Sequence, residues 1–290
     1  MNRLQLIQAI ADCLQDRPYA LQDARQLVSH ACSCSIEELL AHPETSVSGR
    51  VVRQAMRLGR KRAKDVPMAY LLGYRYFFGR RLIVDKHVLI PRPETEHLVE
   101  EAVRLVSKNL SHHTLFLDIG TGSGAVAITL AAETQQHVIA TDISHSSLSV
   151  ARKNARSLHV DHLIEFKQGS LLQPVKSAYF HGFDQVILLA NLPYLTFELL
   201  EDSPKEVVEY EPILALVSDE NDGLDLYREM LMEWTAKRTA FPQNTQILLE
   251  IDPRQALVVE TMVQEILPHA TISILPDLAN LPRVVCLSNF

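Results

Sequence analysis

The chain has 290 residues, 47% of them apolar and 22% charged, with a formal net charge of −7. That length suits one large domain and a smaller one, and the acidic balance disfavours non-specific binding along a phosphate backbone, which needs clustered Lys and Arg. No window reaches the roughly 20 uninterrupted apolar residues of a membrane span.

Asp12 interrupts the first apolar segment, so the start of the chain does not read as a signal peptide. Cys13, Cys32, Cys34 and Cys286 have neither metal nor redox spacing. A cytoplasmic protein with reduced thiols and no membrane or metal association is expected.

In chain order, residues 1 to about 65 read as helices. Leu4, Ile7, Ala11 and Leu14 form one apolar stripe, and Leu21, Ala24, Leu27 and Ala31 a second. Ser35-Ile36-Glu37-Glu38 has the form of a capping box opening a short helix. After Gly49, an acid-free stretch carries Arg50, Arg53, Arg57, Arg60, Lys61, Arg62 and Lys64 at helical spacing. A solvated helix face is the ordinary reading; a docking stripe for an acidic or ribosome-associated partner is the functional one.

Tyr74 to Val84 predicts a hairpin turning near Gly79. Pro91 and Pro93 then stiffen an extended segment, and a helix follows from Glu94 to about Ser107. Beyond residue 113, strands are expected near 114–119, 137–141, 163–167, 184–190 and 246–251, with helices between. This alternation predicts an α/β fold with a doubly wound, mostly parallel sheet. Segments 272–274 and 284–287 have no long helix between them and suit an antiparallel pair at one edge. The expected organisation is a helical domain at 1–73, a hairpin and Pro-rich connector at 74–94, and an α/β domain at 95–290.

Two motifs stand where apolar strands end. Asp118-Ile119-Gly120-Thr121-Gly122-Ser123-Gly124 is a glycine-rich turn opening a helix, suited to a nucleotide-like ligand approaching free backbone N–H groups at the helix N-terminus. Taken alone it is ambiguous, because Gly120-x-Gly122-x-x-Ala125 also satisfies the dinucleotide fingerprint. Asp142, 22 residues beyond Gly120, would hold ribose hydroxyls in either case. Asp118 favours a cofactor bearing an ammonium and a sulfonium over one bearing a pyrophosphate.

The second motif is Asn191-Leu192-Pro193-Tyr194, at the carboxyl end of the strand Asp184–Ala190. Ligands in open α/β sheets bind beyond such ends. An amide nitrogen is a poor nucleophile because its lone pair is delocalised into the carbonyl. The Asn191 side-chain oxygen and the Leu192 carbonyl can accept its two N–H bonds. Pro193 stiffens the turn and Tyr194 offers a wall for a planar group. Together the motifs point to S-adenosylmethionine and methyl transfer to nitrogen.

Over most of its length the chain resembles the HemK/PrmC family, the release factor glutamine methyltransferases. The similarity runs through Pro67-x-Ala69-Tyr70-Leu71-Leu72-Gly73, Phe78-Gly79, Leu89-Ile90-Pro91-Arg92-Pro93-Glu94-Thr95-Glu96, the glycine loop and Asp142. It continues in Asn191-x-Pro193-Tyr194, Tyr210-Glu211-Pro212-x-x-Ala215-Leu216, Glu250-Ile251-x-x-x-Gln255 and Asp277-Leu278-Ala279-x-x-x-Arg283-Val284-Val285. The segment 89–96 is the most specific.

The resemblance implies an N-terminal partner-recognition domain and a class I, Rossmann-like methyltransferase domain. The implied reaction methylates the glutamine side chain in the Gly-Gly-Gln loop of class 1 peptide chain release factors. The implied cofactor is S-adenosyl-L-methionine. Gly120 to Gly124 would hold its methionine part and Asp142 its ribose; Ser170 and Leu171 stand near the adenine, where the family often has an Asp and an aromatic. Asn191 would touch cofactor and substrate, with Leu192, Pro193 and Tyr194 lining the glutamine slot. Leu192 replaces the family's usual Pro, and Asp252-Pro253 and Asn280 replace glycines. A cytoplasmic monomer without direct nucleic-acid contact is expected.

Three other readings compete. Asn-Leu-Pro-Tyr is similar to the motif of ribosomal RNA adenine dimethyltransferases, but that substrate predicts a basic cleft. A nicotinamide-dependent dehydrogenase has no use for Asn191. A binding module that keeps only the fold has no need of Asp118, Asp142 and Asn191 together.

Overall fold

In the computed structural model, residues 1–107, 113–218 and 221–290 are described. They divide into Met1–Tyr74 with Pro204–Tyr210, and Arg75–Ser203 with Glu211–Phe290.

The first unit contains α1 (Arg3–Cys13), α2 (Ala20–Cys32), α3 (Ile36–Ala41), α4 (Gly49–Arg62) and α5 (Met68–Leu72). Its core joins Leu6, Ile10 and Leu14 of the first helical segment to Ala24, Leu27 and Val28, with Leu39, Ala55 and Leu58 closing it. Leu4 and Leu21, assigned to apolar stripes from spacing, are instead 57% and 46% exposed. The buried face is rotated by one position, with Leu6 and Val28 taking the inward places. Ser35 does cap α3, accepting from the Glu38 N–H at 3.1 Å. The reciprocal half of the expected capping box is absent, because the Glu38 carboxylate pairs with Arg3 at 3.1 Å.

From the last residue of the first unit the chain enters a hairpin, β1 (Tyr74–Phe77) and β2 (Arg80–Ile83), turned by Phe78 and Gly79 at φ 49° and 71°. Then follow α6 (Glu96–Ser107), β3 (Thr114–Ile119), α7 (Ala125–Thr134), β4 (His137–Asp142), α8 (His145–Ser157), β5 (Ile164–Gln168) and β6 (Gln185–Ala190). After α9 (Phe197–Glu201) comes α10 (Lys205–Tyr210), which groups with the first unit although it lies within the stretch 95–290. The chain ends with α11 (Asp225–Ala236), β7 (Asn244–Glu250), α12 (Ala256–Ile266), β8 (Thr271–Pro276) and β9 (Pro282–Ser288).

The seven-stranded sheet has the order β5-β4-β3-β6-β7-β9-β8. The first five of these strands are parallel to one another, and β9 and β8 complete the edge antiparallel. All six residues of β3 and all six of β6 are buried, as strands covered on both faces must be. Alternation sorts them: Leu115, Leu117 and Ile119 pack with Tyr227, Met230 and Trp234 of α11. Phe116, Ile187 and Leu189 pack with Leu98 and Ala102 of α6 and Ile128 of α7. Strand order reverses between β3 and β6, the place where such sheets bind ligands. Among the described residues no helix is long and apolar enough to cross a membrane, and no cluster of His, Cys, Asp and Glu is arranged to hold a metal.

α10 is tied to the first unit by charge. Arg62 donates from Nε to Asp23 at 2.7 Å and also pairs with Glu206. Arg17 pairs with Asp65 and, at 3.5 Å, with Glu206; Lys205 reaches Asp65 at 3.6 Å. The Tyr210 hydroxyl donates to the Lys64 carbonyl. Arg62, counted from sequence within the basic row, is thus buried and internally paired, while Arg50, Arg53, Arg57, Arg60, Lys61 and Lys64 are exposed. Arg62→Met removes the nearer guanidinium from Asp23 and Glu206, leaving them Arg17 at 3.9 and 3.5 Å, and should destabilise the first unit by about 3 kcal/mol. Arg60→Met should change stability by under about 0.5 kcal/mol. Urea unfolding of both variants measures the contrast.

Candidate active site

The parallel pairing of β3 with β6 matches Ile119 to Ala190, so Gly120 and Asn191 leave the sheet side by side. A Cβ added at Gly120 would lie 2.9 Å from Leu192 Cδ2 and 4.0 Å from the Asn191 carbonyl oxygen. The two motifs, about seventy residues apart in sequence, therefore meet at one edge. Asp142 ends the adjacent β4, and its carbonyl accepts from the Gly169 N–H at 3.1 Å, drawing the 169–171 turn alongside.

The glycine loop is not the set of free N–H groups expected from its sequence. The N–H groups of Gly120 and Thr121 both donate to the Thr141 carbonyl at 2.9 Å, and that of Gly124 to the Thr121 carbonyl at 2.8 Å. Gly122 donates to Asp142 Oδ2 at 2.8 Å. A pyrophosphate would need these donors; a cofactor without phosphates does not. Asp142 is half-buried, with its other oxygen accepting from Ser144 N–H at 2.8 Å, and burial raises its pKa. Next to it, Ile143 is 65% exposed, an apolar surface at the strand end that sequence reasoning did not single out.

Asp118 is buried, and its Oδ2 accepts from the Thr121 hydroxyl at 2.6 Å and the Ala127 N–H at 3.1 Å. It braces the loop onto the first turn of α7. Burial pushes its carboxyl up to about 6 despite those donors, so a nearby cation would favour its charged form. Thr121 and Ser123 are buried within the loop. Leu171 packs its side chain into the core below the sheet, and its carbonyl accepts from the Thr141 hydroxyl at 3.1 Å. Only the half-buried Ser170 of that pair keeps an accessible side chain.

Around Asn191-Leu192-Pro193-Tyr194 the hydrogen bonds are numerous. Asn191 Nδ2 donates to Thr95 Oγ1 at 3.0 Å. The Leu192 N–H donates to the Tyr227 hydroxyl at 3.2 Å, and that hydroxyl donates in turn to the Glu250 carbonyl. Gln255 Nε2 donates at 2.8 Å to both the Tyr194 and Asp222 carbonyls. Gly223, at φ +77°, lies so close that a Cβ there would come 2.1 Å from the Tyr194 oxygen. Only glycine meets both demands. Burial raises the pKa of Tyr194 and, more strongly, of Tyr227, so both stay neutral phenols.

Thr95 is held in place through its own segment. Glu211, buried, accepts from the Ile90 N–H at 3.0 Å and from Arg92 at 2.6 Å, pinning residues 90–92. Glu250 closes β7 in register beyond Ala190↔Leu249, which sets it beside Asn191. It is 1% exposed, and its Oε2 has no hydrogen-bond partner. Burial pushes its carboxyl up to about 7, with the nearby Thr95 and Tyr194 hydroxyls and Arg283 opposing the shift. Thr95, Glu250, Gln255 and Tyr227 were not identified from sequence as site residues, although Thr95, Glu250 and Gln255 fall inside motifs that carry the family resemblance. A separate depression of about 510 Å³, lined by His137, Ile164, Tyr179 and Phe183, lies at the opposite strand ends and takes no part in this site.

Residues 110–219 match the model of a methyltransferase domain, and residues 5–73 match the model of the PrmC N-terminal domain. In fold, the chain is similar to the hMettl16 catalytic domain, solved in complex with MAT2A 3'UTR hairpin 1. The TM-score is 0.55 at 14% identity over 80% of this chain and 81% of that one. Fold and sequence define a class I methyltransferase.

Relatives narrow the class. The release factor glutamine methyltransferase of Bacillus anthracis is 34% identical over 86% of this chain and 83% of its own length. That of Neisseria gonorrhoeae is 36% identical over 90% and 91%. The chain belongs to the release factor glutamine methyltransferase family.

Glu250 gives the site a pH signature. Its folded pKa of about 7 exceeds the ordinary 4.5, so the folded chain binds this proton more tightly than the unfolded chain. Its contribution to stability is full below about pH 4.5, is lost as pH rises to about 7, and is flat above; up to about 3 kcal/mol is involved. Glu250→Gln lacks that proton. Its melting temperature relative to the parent should climb between about pH 5 and about pH 8. A constant difference across that range would contradict the buried carboxyl.

Proposed function

We propose that the protein transfers a methyl group from S-adenosylmethionine to the side-chain amide nitrogen of the glutamine in the Gly-Gly-Gln loop of class 1 peptide chain release factors. The observation that carries this reading is the Asn191–Thr95 bond at 3.0 Å, which leaves Asn191 Oδ1 for a substrate N–H beside the glycine loop. Family membership supplies the substrate class.

The donor brings a methyl group already activated on a positively charged sulfur. The 120–124 loop would receive its amino-acid end, with the Asp118 carboxylate behind it; Asp142 would offer its remaining lone pairs to the ribose hydroxyls, and Ile143 and Ser170 would flank the base. The polar groups here fit such a cofactor, because the loop donors at 120, 121, 122 and 124 are already satisfied and ask for no phosphate.

Asn191 Oδ1 and the Leu192 carbonyl accept the two N–H bonds of the substrate amide, which fixes the nitrogen and favours positive charge on it during attack. Pro193 stiffens that turn, and the Tyr194 ring covers the planar amide. A methyl held on sulfonium would need no further activation from the protein, so what these residues do is hold the nitrogen in line and leave its N–H bonds oriented for loss of a proton to water. Positioning is the main task, potentially worth ~7–11 kcal/mol.

The helical domain at 1–73 recognises the release factor, and the exposed row Arg50, Arg53, Arg57, Arg60 and Lys64 is its docking stripe. The enzyme works as a cytoplasmic monomer. The acidic net charge supports a protein substrate over adenine in nucleic acid.

Incubation with labelled cofactor and a release factor should add one methyl to the loop glutamine, read by mass mapping. A factor carrying Ala at that glutamine should stay unlabelled. Asn191→Ala should lower turnover by roughly 10²–10³, with cofactor affinity less affected; near-normal turnover would remove Asn191 from the chemistry. Reversing Arg53 and Arg57 together should raise the KM for the release factor and leave cofactor binding unchanged. An unaltered KM would return that row to ordinary solvated surface.

A further inference from the structure

The Thr95 hydroxyl carries one proton. Because its oxygen accepts from Asn191 Nδ2 at 3.0 Å, that proton has to be directed elsewhere. The acceptor on that side is the Glu250 carboxyl, which follows Leu249 in register beside Asn191, is 1% exposed and has Oε2 unpartnered; the Thr95 and Tyr194 hydroxyls lie near enough to favour its charged form. A buried carboxylate oxygen is costly unless a donor or a cation meets it, so the hydroxyls beside it have reason to donate.

We propose that Glu250 is a positioning residue: by accepting the Thr95 hydroxyl proton it makes Thr95 Oγ1 an acceptor only, and this holds the Asn191 carboxamide with Oδ1 toward the substrate. The inference rests on the glutamine-methyltransferase reading.

The two ends of an Asn side chain have nearly the same shape, so packing alone discriminates poorly between them. A Thr hydroxyl free to rotate could equally donate to Asn191 Oδ1. The carboxamide would then present its NH₂ to the substrate NH₂, donor against donor. An ionised Glu250 removes that alternative, because a carboxylate only accepts. A protonated Glu250 can donate to Thr95 and restores it. The charged or titratable groups facing Glu250 are Glu94 from the Pro-rich segment, Tyr194 from the turn after β6, Tyr227 from α11 and Arg283 from β9. Arg283 is already engaged with Asp277 at 3.0 Å and the Ile251 carbonyl at 3.1 Å, which leaves the neighbouring hydroxyls as the donors available to Glu250.

The test is a double-mutant cycle with Thr95→Val and Glu250→Gln, both close in shape to the parent. Thr95→Val should lower kcat at least about tenfold and Glu250→Gln about tenfold, on the scale of one misaligned hydrogen-bonding group. Calorimetry should find the Kd for S-adenosylmethionine within about twofold in each. Thr95→Ser should restore kcat. Since Glu250 acts through Thr95, the double variant should be no slower than Thr95→Val alone.

In the unliganded wild-type enzyme, the Asn191 side-chain NH₂ signals in NMR should move with pH around neutrality, and should be still in Glu250→Gln. Full kcat in Glu250→Gln, losses that multiply, or Asn191 signals indifferent to pH in the wild type would each overturn the relay. The wild-type pH series stands even if a variant does not fold. Absence of release-factor methylation by the wild type would instead sink the function assigned above, independently of the NMR result.

Discussion

The parallel register of β3 against β6 is the constraint from which the site follows. Pairing Ile119 with Ala190 sets the glycine turn and Asn191 at adjacent strand ends. Because side chains alternate with period two, a slip of one residue would turn Asn191 away from Thr95 and send Leu189 and Leu188 to each other's layers. Both faces of the sheet are buried, so such a slip would strand apolar side chains in the wrong core on each side. Packing of two hydrophobic layers thus fixes the geometry of a polar site at their edge, to which one layer itself contributes Leu192 and Tyr227.

Beyond the strand ends, accuracy passes from packing to hydrogen bonds. The turn 191–194 has its Leu192 N–H on Tyr227, its Tyr194 carbonyl on Gln255 and its Asn191 amide on Thr95, three anchors from three different elements. Gly223 allows the approach that Gln255 needs. Each anchor is itself held: Tyr227 by the Glu250 carbonyl, Thr95 by a segment pinned on Glu211. Reacting groups kept this way need little rearrangement when charge develops, which is where enzymatic electrostatics is most effective. The burial of Glu250 and Asp118 works against stability, and local order at the site is what it maintains.

Much of this was legible in the sequence because it depends on local pattern. Apolar runs, continuous in β3 and β6 and interrupted in β5, placed the parallel strands to within two residues at either end, and the two-residue turn at Phe78-Gly79 announced the hairpin. The motif residues at 120–124, 142 and 191–194 converge as their positions at strand ends implied. What sequence could not give was partner choice. Whether Glu38 closes its cap or pairs with Arg3, and whether Arg62 faces water or Asp23, depends on residues more than thirty positions away. The same holds for the loop N–H groups, read as free because the Thr141 carbonyl and Asp142 that satisfy them arrive from the next strand. Thr95 and Glu250 were visible as motif letters, yet a letter carries no role until its neighbour is known.

The grouping of α10 with the N-terminal helices has a topological corollary. The polypeptide passes from one unit to the other three times, at residues 74–75, 203–204 and 210–211. Cutting the gene at the first of these points would not excise a self-sufficient catalytic half. Such a fragment would keep a six-residue helix whose Glu206 had lost both of its guanidinium counter-ions. Neither unit is a single uninterrupted stretch of sequence, so shuffling either onto a foreign partner would have to respect all three crossings.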